Sequence, residues 1–161
     1  MNTEKPKSEK RASVDYGGKW QRINWTAIET KVNRLQSRIA KAAREGRFNL
    51  LKILQYLLTK SYYAKLLAVK KVISKKGSKT PGVDGDVWNN DVKRYKGALN
   101  LEGKGYKASP LRRTYIKKPN GKLRTLGIPT MHDRSMQALY AMALDPVAES
   151  ILSTRAFGFR K

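Results

Sequence analysis

The 161-residue sequence contains no cysteine, which excludes disulfides, thiolate zinc sites and cysteine nucleophiles. His132 is its one histidine, so a histidine-rich metal site is excluded as well. No apolar run approaches the roughly 18 residues that a membrane-spanning helix needs. Residues 1–13 are polar and lack the apolar core of a secretory signal. We therefore expect a protein that is not secreted and resides in a bacterial-type cytoplasm or an organelle.

Acidic residues are scarce, since 12 Asp and Glu stand against 35 Lys and Arg and the formal net charge is +23. Such a charge predicts a polyanionic partner. Nucleic acid is the leading candidate, because neutralising phosphates releases counterions and gives strong, salt-sensitive binding. An anionic membrane surface is the competing partner, but it usually requires a short basic tract beside exposed apolar residues. Here the charge is spread along the chain, so we expect no membrane partner.

The first half of the chain is predicted to be helical. Residues 1–18 are expected to form a flexible basic lead closed by Gly17 and Gly18. Thr26 and Glu29 form a capping-box pattern, which predicts a helix that ends near Gly46. Three more helices are predicted, the first of them buried on more than one side: 49–58, 61–74 and 87–99.

Basic side chains cluster on this helical half. One set falls on a single flank of the first long helix and has almost no compensating acids; a second set lies near the end of the 61–74 helix. The flank is interpretable either as a solvated face or as a phosphate-contacting surface, and the composition favours phosphate contact. The RNA-binding candidates in these two sets are Lys31, Arg34, Arg38, Lys41, Lys70, Lys71, Lys75 and Lys76.

A basic β-hairpin is predicted after the helical half. Strands over 112–117 and 122–127 flank Pro119-Asn120-Gly121, and Asn-Gly is a strong hairpin signal. Residues 112–124 contain no acidic side chain and six basic ones: Arg112, Arg113, Lys117, Lys118, Lys122 and Arg124. Two or three converging cations would clamp a triphosphate or a backbone phosphate. A generic basic hairpin that coats RNA non-specifically is an equally good interpretation.

A last helix is predicted to start at a capping-box-like pair, Thr130 and Asp133, and to be interrupted at Asp145-Pro146. Acid–base catalysis has little support in the sequence. His132 is more typical of a surface or capping residue than of a base, and no phosphate-binding glycine loop is present. The one acidic cluster lies in a glycine-rich loop, where Asp usually serves turns rather than metals. Its members are Asp84, Asp86 and Asp91.

Several separate motifs, in order, resemble the reverse transcriptases encoded by group II introns. Residues 113–134 read RTYIKKPNGKLRTLGIPTMHDR, which closely resembles the first conserved block of that family. Gln137-Ala-Leu, Leu144-Asp-Pro and Phe157-Gly-Phe-Arg160 continue the likeness, and Lys79-Thr-Pro-Gly-Val-Asp-Gly85 precedes it. The resemblance covers roughly residues 18–161.

The resemblance implies roles for particular residues. In that family the hairpin contacts the triphosphate of the incoming nucleotide, which matches Lys118 and Arg124, with Arg112 or Arg113 along the nucleotide or template path. The N-terminal helices bind template and intron RNA, which matches the basic flank of the first long helix. Arg160 would begin the second conserved block and support the template.

The resemblance also implies what to expect of the whole chain. The fold class would be α+β: a helical N-terminal extension, then a basic hairpin and a helix, forming the fingers portion of a right-handed polymerase. We expect a flexible lead over 1–18, an RNA-binding extension over 19–76 and the start of the fingers over 77–161. The family's catalytic aspartates have no counterpart in the sequence, so we expect no cofactor here and Mg²⁺ only in a complete enzyme.

Partners follow from the same resemblance. We expect intron RNA, template RNA and a primer–template, and a separate C-terminal reverse transcriptase half is a further candidate. The alternative is a stand-alone, non-catalytic RNA-binding or splicing-assisting remnant.

Overall fold

The computed structural model describes residues 14–151. Within them the chain is mostly helical and carries one two-stranded antiparallel sheet, which confirms the predicted α+β composition. No helix in this part of the chain combines the length and apolarity needed to cross a membrane. The elements, in order, are α1 (Tyr16–Gln21), α2 (Trp25–Arg44), α3 (Phe48–Lys60), α4 (Tyr62–Ile73), a 3₁₀ turn (Lys76–Lys79), α5 (Asp91–Leu99), β1 (Arg112–Lys117), β2 (Leu123–Ile128) and α6 (Met131–Ile151).

The hydrophobic core lies between the long helices. α6 packs against α2, α3 and α4, while α1 and α5 pack on each other and α5 also contacts α4. Fully buried side chains come from α2, α3, α4 and α6, among them Ile39, Leu54, Leu66 and Leu139. The hairpin of β1 and β2 adds almost nothing to this core, since most of its residues are exposed. The helices therefore form a scaffold from which the hairpin projects.

Two helix starts differ from the sequence prediction. α2 begins at Trp25 because the Asn24 side chain accepts a hydrogen bond from the Ala27 amide, so Thr26 is not the capping residue. The last residues of the predicted lead begin α1, whose first turn is capped by the Asp15 carboxylate accepting from the Gly18 amide. Tyr16 to Gly18 are therefore helical rather than flexible. Residues 1–13 of the predicted lead lie outside the described residues.

The middle of the chain brings two further corrections. α5 starts at Asp91, four residues later than predicted, because Asn90 provides the cap. Gly97 lies inside this helix against the indole of Trp88. A Cβ built on Gly97 would come within 2.6 Å of that ring, so only glycine fits. α3 is buried on one side through Leu51, Leu54 and Leu58, and the prediction of burial on more than one side was wrong.

Other boundaries agree with the sequence. The Ser61 side chain caps α4, and Gly46 ends the turn after α2 with a φ of 66°. β1 has the predicted bounds, and β2 lies one residue later than predicted. Thr130 and Asp133 form the predicted cap at the start of α6, where Thr130 Oγ1 accepts from the Asp133 amide at 3.1 Å.

α6 continues through Pro146 to Ile151, so the predicted interruption was wrong. Proline has no N–H, so Pro146 cannot donate to the carbonyl of Met142, four residues earlier. The Gln36 side-chain amide of α2 donates to that carbonyl instead, at 2.8 Å. The Gln55 amide of α3 donates in the same way to the next carbonyl, that of Ala143, at 3.1 Å. Side chains from two packed helices thus satisfy the carbonyls near the proline, and the helix need not end.

This arrangement yields a double-mutant prediction. Gln36→Ala should lower the free energy of unfolding by about 1–3 kcal/mol, because it leaves a part-buried carbonyl without its donor. In a Pro146→Ala background the same change should cost clearly less, since the restored amide of residue 146 can bond Met142. Denaturant unfolding of the four proteins measures the coupling, and equal costs in both backgrounds would contradict this account of α6.

Candidate nucleotide and nucleic-acid interface

The hairpin is closed by a tight basic turn. Gly121 has a φ of 77°, a conformation that favours glycine, and its amide donates to the Lys118 carbonyl at 2.9 Å. The Lys118 amide donates to the Lys122 carbonyl at 2.8 Å, and Asn120 Oδ1 accepts from the Lys122 amide. Pro119, Asn120 and Gly121 therefore form the predicted turn, with a lysine on each side of it.

The strand register decides which cations share a face. Arg112 pairs with Ile128, and Ile116 pairs with Arg124. Side chains alternate across a strand and directly paired residues lie on the same side. Arg112 and Arg124 therefore lie on one side of the hairpin, which we call the Arg124 face, and Arg113 lies on the opposite side. Two of the predicted nucleotide-binding arginines are thus brought to one face and the third is not.

Lys118, the fourth predicted nucleotide-binding residue, lies just beyond the end of β1. Its backbone is bonded to that of Lys122, two residues before Arg124. Its backbone therefore belongs to the tip of the hairpin near Arg124, while Arg112 lies at the other end of the same strand pair. Both arginines are exposed.

One side chain fixes the base of the hairpin to the helical scaffold. The Arg134 guanidinium, in the first turn of α6, donates to three carbonyls: Pro129 at 2.9 Å, Gly77 at 2.9 Å and Thr80 at 2.7 Å. Burial lowers the pKa of Arg134, Asp84 opposes that shift and Arg112 adds to it by repulsion. Arginine nevertheless stays charged. Arg134 thus holds the end of β2 and the loop after α4 together.

The same loop makes a second close contact. A Cβ on Gly82 would lie 2.6 Å from the Thr130 Cα, so this glycine permits the loop backbone to touch the residue before α6. The motif Lys79-Thr-Pro-Gly-Val-Asp-Gly85 is therefore packed against the exit of the hairpin.

Asp133 anchors the segment that leads into β1. Its buried carboxylate accepts from the Tyr106 hydroxyl at 2.5 Å, the Thr130 hydroxyl at 2.7 Å and the Ser109 amide at 3.3 Å. Burial alone would raise the pKa of Asp133, but the hydrogen bonds from Tyr106, Thr130 and Ser109 lower it. Burial and the bond to Asp133 raise the pKa of Tyr106 to about 12. The carboxylate is therefore charged and structural at neutral pH.

An open cavity of about 540 Å³ lies beside the base of the hairpin. It is bounded by β2 through Leu126 and Ile128, by the end of α4, and by α6 through Ala138 and Ala141. Arg134 reaches its wall, and Lys71 and Lys75 lie at its edge. Because Ile128 pairs with Arg112, this cavity adjoins the Arg124 face.

The predicted flank of α2 is a continuous exposed stripe, which we call the α2 stripe: Lys31, Arg34, Arg38 and Lys41. In the part of the chain that the structure describes, no acid lies within ion-pair distance of Arg34 or Arg38. Lys41 has only a long contact of 3.8 Å with Glu45, and both side chains are exposed. The stripe therefore presents cations to solvent rather than to protein carboxylates.

The second predicted RNA-binding set is divided. Lys70 is engaged by the protein, because its Nζ bonds Glu29 at 2.9 Å and lies 4.7 Å from the ring centre of Trp25. Lys71 is half-buried at the edge of the 540 Å³ cavity, while Lys75 and Lys76 are exposed. Arg160 lies outside the described residues.

The three loop aspartates have local partners. Asp84 Oδ1 accepts from the Asp86 amide at 3.2 Å, Asp86 bonds Lys93 and Asp91 bonds Arg94 at 2.7 Å. Between residues 14 and 151, no group of three His, Asp or Glu side chains could hold a metal.

Sequence reasoning gave Asp133 only a capping role and gave Arg134 none, although the hairpin base depends on both. Arg134 and Asp133 were part of the recognised motif, yet their partners are up to 57 residues away. One signal for this role was present in the sequence. Asp and Arg stand together in the first turn of a helix that directly follows a strand, and side chains at that position can reach the backbone of neighbouring loops.

The comparisons with known proteins first define the class. A family model described as the N-terminal domain of reverse transcriptase matches residues 20–101. The chain is also 34% identical over 137 residues to the Escherichia coli protein YkfC, covering 80% of this chain and 35% of that protein.

Two further relatives narrow the class to one family. The chain is 32% identical over 112 residues to the group II intron-encoded protein LtrA of Lactococcus lactis subsp. cremoris, covering 68% of this chain and 18% of LtrA. It is 31% identical over 144 residues to maturase-like protein 1 of Euglena gracilis, covering 88% of this chain and 31% of that protein. The chain belongs to the group II intron reverse transcriptases and maturases and corresponds to their N-terminal portion. It spans about a third or less of the length of these relatives.

Asp133 supplies a pH-dependent prediction. Its folded pKa is lowered, so its contribution to stability is present above the unfolded value of about 3.9 and is lost as the pH falls through the folded pKa. Asp133→Asn should lower the free energy of unfolding at pH 7 by about 1.5–3 kcal/mol. The difference from the wild type should shrink below about pH 4.

Urea unfolding at several pH values measures this difference. Asp86→Asn is the matched control, because that carboxylate lies in a largely exposed ion pair and should change stability by at most about 1 kcal/mol. A pH-independent cost of Asp133→Asn would contradict the assignment.

Proposed function

We propose that this chain is the RNA-binding extension and the start of the fingers of a group II intron reverse transcriptase. In this proposal the α2 stripe binds template and intron RNA, and the Arg124 face with Lys118 contacts the triphosphate of the incoming nucleotide. The observation that carries the proposal is the α2 stripe, a row of solvent-facing cations on a 20-residue helix in a chain of charge +23.

The geometry of α2 supports contact with an extended polyanion. Residues 31 to 41 span about 15 Å at a rise of about 1.5 Å per residue. The adjoining face of the helix is fixed in the core by Val32 and Ile39. The cations are therefore presented along a rigid line, and an RNA backbone could follow it without reordering the protein.

The hairpin supports a separate, more local contact. Arg112 and Arg124 share one face, and arginine offers a planar fork of donors that matches phosphate oxygens. Lys118 adds a point charge at the adjoining tip. The hairpin is held at its base by Arg134 and Asp133, so these cations are positioned by a fixed support and not by a mobile loop.

The complete enzyme would copy RNA into DNA, and Mg²⁺ would supply the activation of the primer hydroxyl and the α-phosphate. We expect its carboxylate ligands outside this sequence, as the family resemblance implies. The proposed partners are intron RNA, template RNA and a primer–template, together with the remaining portion of a reverse transcriptase, in the same chain or as a separate half.

A stand-alone RNA-binding or splicing-assisting role is the second candidate. One observation favours it. The α2 stripe lies on a helix that packs in the core, so the position of its cations does not depend on the hairpin. Adding a separately expressed C-terminal reverse transcriptase portion distinguishes the two. Primer extension restored by that addition supports the polymerase role, and RNA binding without restored extension supports the second candidate.

The α2 stripe can be tested by salt dependence. Arg34→Gln with Arg38→Gln should weaken single-stranded RNA binding and reduce the slope of log K against log salt by about 1.4, that is, about 0.7 for each lost phosphate contact. Lys104→Gln with Lys107→Gln is the control, because it removes the same charge from exposed positions off the stripe. Equal effects of the two pairs would show that only net charge matters and would contradict the proposed site.

The hairpin can be tested by the contrast between its faces. In the complete reverse transcriptase, Arg124→Ala should raise the KM for nucleotide roughly 10- to 100-fold, the loss expected for one hydrogen bond to a charged group. Arg112→Ala should act in the same direction. Arg113→Ala, on the opposite face, should change the KM little. Steady-state primer extension measures these values, and RNA affinity should stay unchanged; equal loss of RNA affinity and nucleotide use would contradict the assignment.

A further inference from the structure

A second cavity, of about 470 Å³, lies where α1, α2, α4 and α5 meet. Its size falls in the range of about 300–1,000 Å³ that is typical of small-ligand sites. Tyrosines from α4 and α5 line one part of it, basic residues line another, and Asp15, Asn24 and apolar side chains complete the lining. We call it the tyrosine pocket, and its aromatic and basic lining residues are Tyr62, Tyr63, Tyr95, Lys19, Arg22 and Lys31.

Tyr62 presents a fixed aromatic surface in this pocket. Its hydroxyl shares a 2.7 Å hydrogen bond with that of Tyr95, which is 7% exposed, while Tyr62 itself is 41% exposed. The ring of Tyr63 packs edge-on against Tyr62 with centroids 5.7 Å apart. Burial and the bond to Tyr95 raise the pKa of Tyr62, so the phenol stays neutral and adds no negative charge. Because these contacts already hold the Tyr62 ring in place, its side chain loses little conformational entropy when a planar group stacks on it.

Cations surround this ring system. Lys31 Nζ lies 4.0 Å above the centre of the Tyr63 ring and donates to the Tyr63 hydroxyl at 2.8 Å. Arg22 lies at the wall with a 3.3 Å contact to Asp15, both largely exposed, and Lys19 adds a further positive charge. The lining thus combines aromatic surface with net positive charge, the combination by which proteins hold single-stranded nucleic acid.

Lys31 belongs to two features at once. It is the first residue of the α2 stripe and also part of the tyrosine pocket. A single strand whose phosphates follow the stripe would therefore bring one of its nucleotides to the pocket mouth.

We infer that the tyrosine pocket receives an unpaired base of single-stranded RNA, stacked on Tyr62 with the neighbouring phosphate held by Lys31 and Lys19. The inference rests on the proposed RNA binding of the α2 stripe and specifies the form of the RNA. Paired bases in a duplex are stacked on one another and cannot enter, so the pocket selects unpaired nucleotides.

The test compares Tyr62→Leu with Tyr62→Phe in the full chain. The probes are an unstructured single-stranded RNA of ten nucleotides and an RNA duplex of ten base pairs. Tyr62→Leu should weaken single-strand binding about 5- to 100-fold, the loss expected when one base–aromatic stack is removed. Tyr62→Phe keeps the ring and should bind like the wild type. Neither variant should alter duplex binding.

A second measurement does not depend on a variant that folds poorly. Single-stranded RNAs carrying 2-aminopurine at successive positions should show one position whose fluorescence changes on binding to the wild-type protein. Circular dichroism of both variants checks that the helices are retained. Free ATP is the competitor, and it should displace the RNA only weakly because it cannot also occupy the α2 stripe.

The possible results distinguish a failure of the tyrosine pocket from a failure of the proposed RNA binding. Equal single-strand affinity for wild type and Tyr62→Leu, with no position-specific fluorescence change, would overturn the pocket and leave RNA binding intact. Equal weakening of single-strand and duplex binding would also overturn the pocket, as would ATP binding as tight as that of RNA. A wild-type protein that binds neither probe would overturn the proposed function itself.

Discussion

The hydrogen bonds of the first turn of α6 hold the hairpin, which is proposed to contact the incoming nucleotide, on the helical scaffold. Arg134 donates to one carbonyl just after β2 and to another in the loop after α4. The carboxylate of the preceding residue, Asp133, accepts a hydrogen bond from the segment that leads into β1. Strands with so few buried side chains have little packing energy of their own, since an isolated hairpin is marginally stable at best. The orientation of the Arg124 face therefore depends on these two side chains more than on the strands.

α6 can serve as this anchor because it remains continuous. A proline within a helix removes a backbone donor, and the freed carbonyl would ordinarily favour a break. Gln36 of α2 replaces the missing donor at the Met142 carbonyl, and Gln55 of α3 adds a bond to the next carbonyl, that of Ala143. The same two bonds tie α6 to α2 and α3, so the helix that positions the hairpin is locked to the helix that carries the basic stripe. The proposed nucleotide-contacting face and the proposed RNA-contacting stripe thus lie on one connected scaffold.

The local signals in the sequence predicted the local features. Asn120-Gly121 located the hairpin, Ser61 and Thr130 located helix starts, and the family motifs identified the reverse transcriptase class. The tertiary contacts could be seen only in the structure. The Gln36 amide bonds a carbonyl 106 residues away, and the strand register places Arg113 and Arg124 on opposite faces of the hairpin. The sequence did not predict α1, because its two adjacent glycines are poor helix formers. In the structure the Asp15 cap and packing on α5 accompany this short helix.

The central claim is that the α2 stripe with the tyrosine pocket is the RNA track, while the hairpin serves a separate nucleotide contact. Ultraviolet crosslinking of the full chain to unstructured RNA, followed by mass spectrometry of the crosslinked peptides, tests this division most directly. The account predicts crosslinks on the peptides that contain residues 31–41 and Tyr62, with the hairpin free of them. Crosslinks confined to residues 112–128 would contradict it.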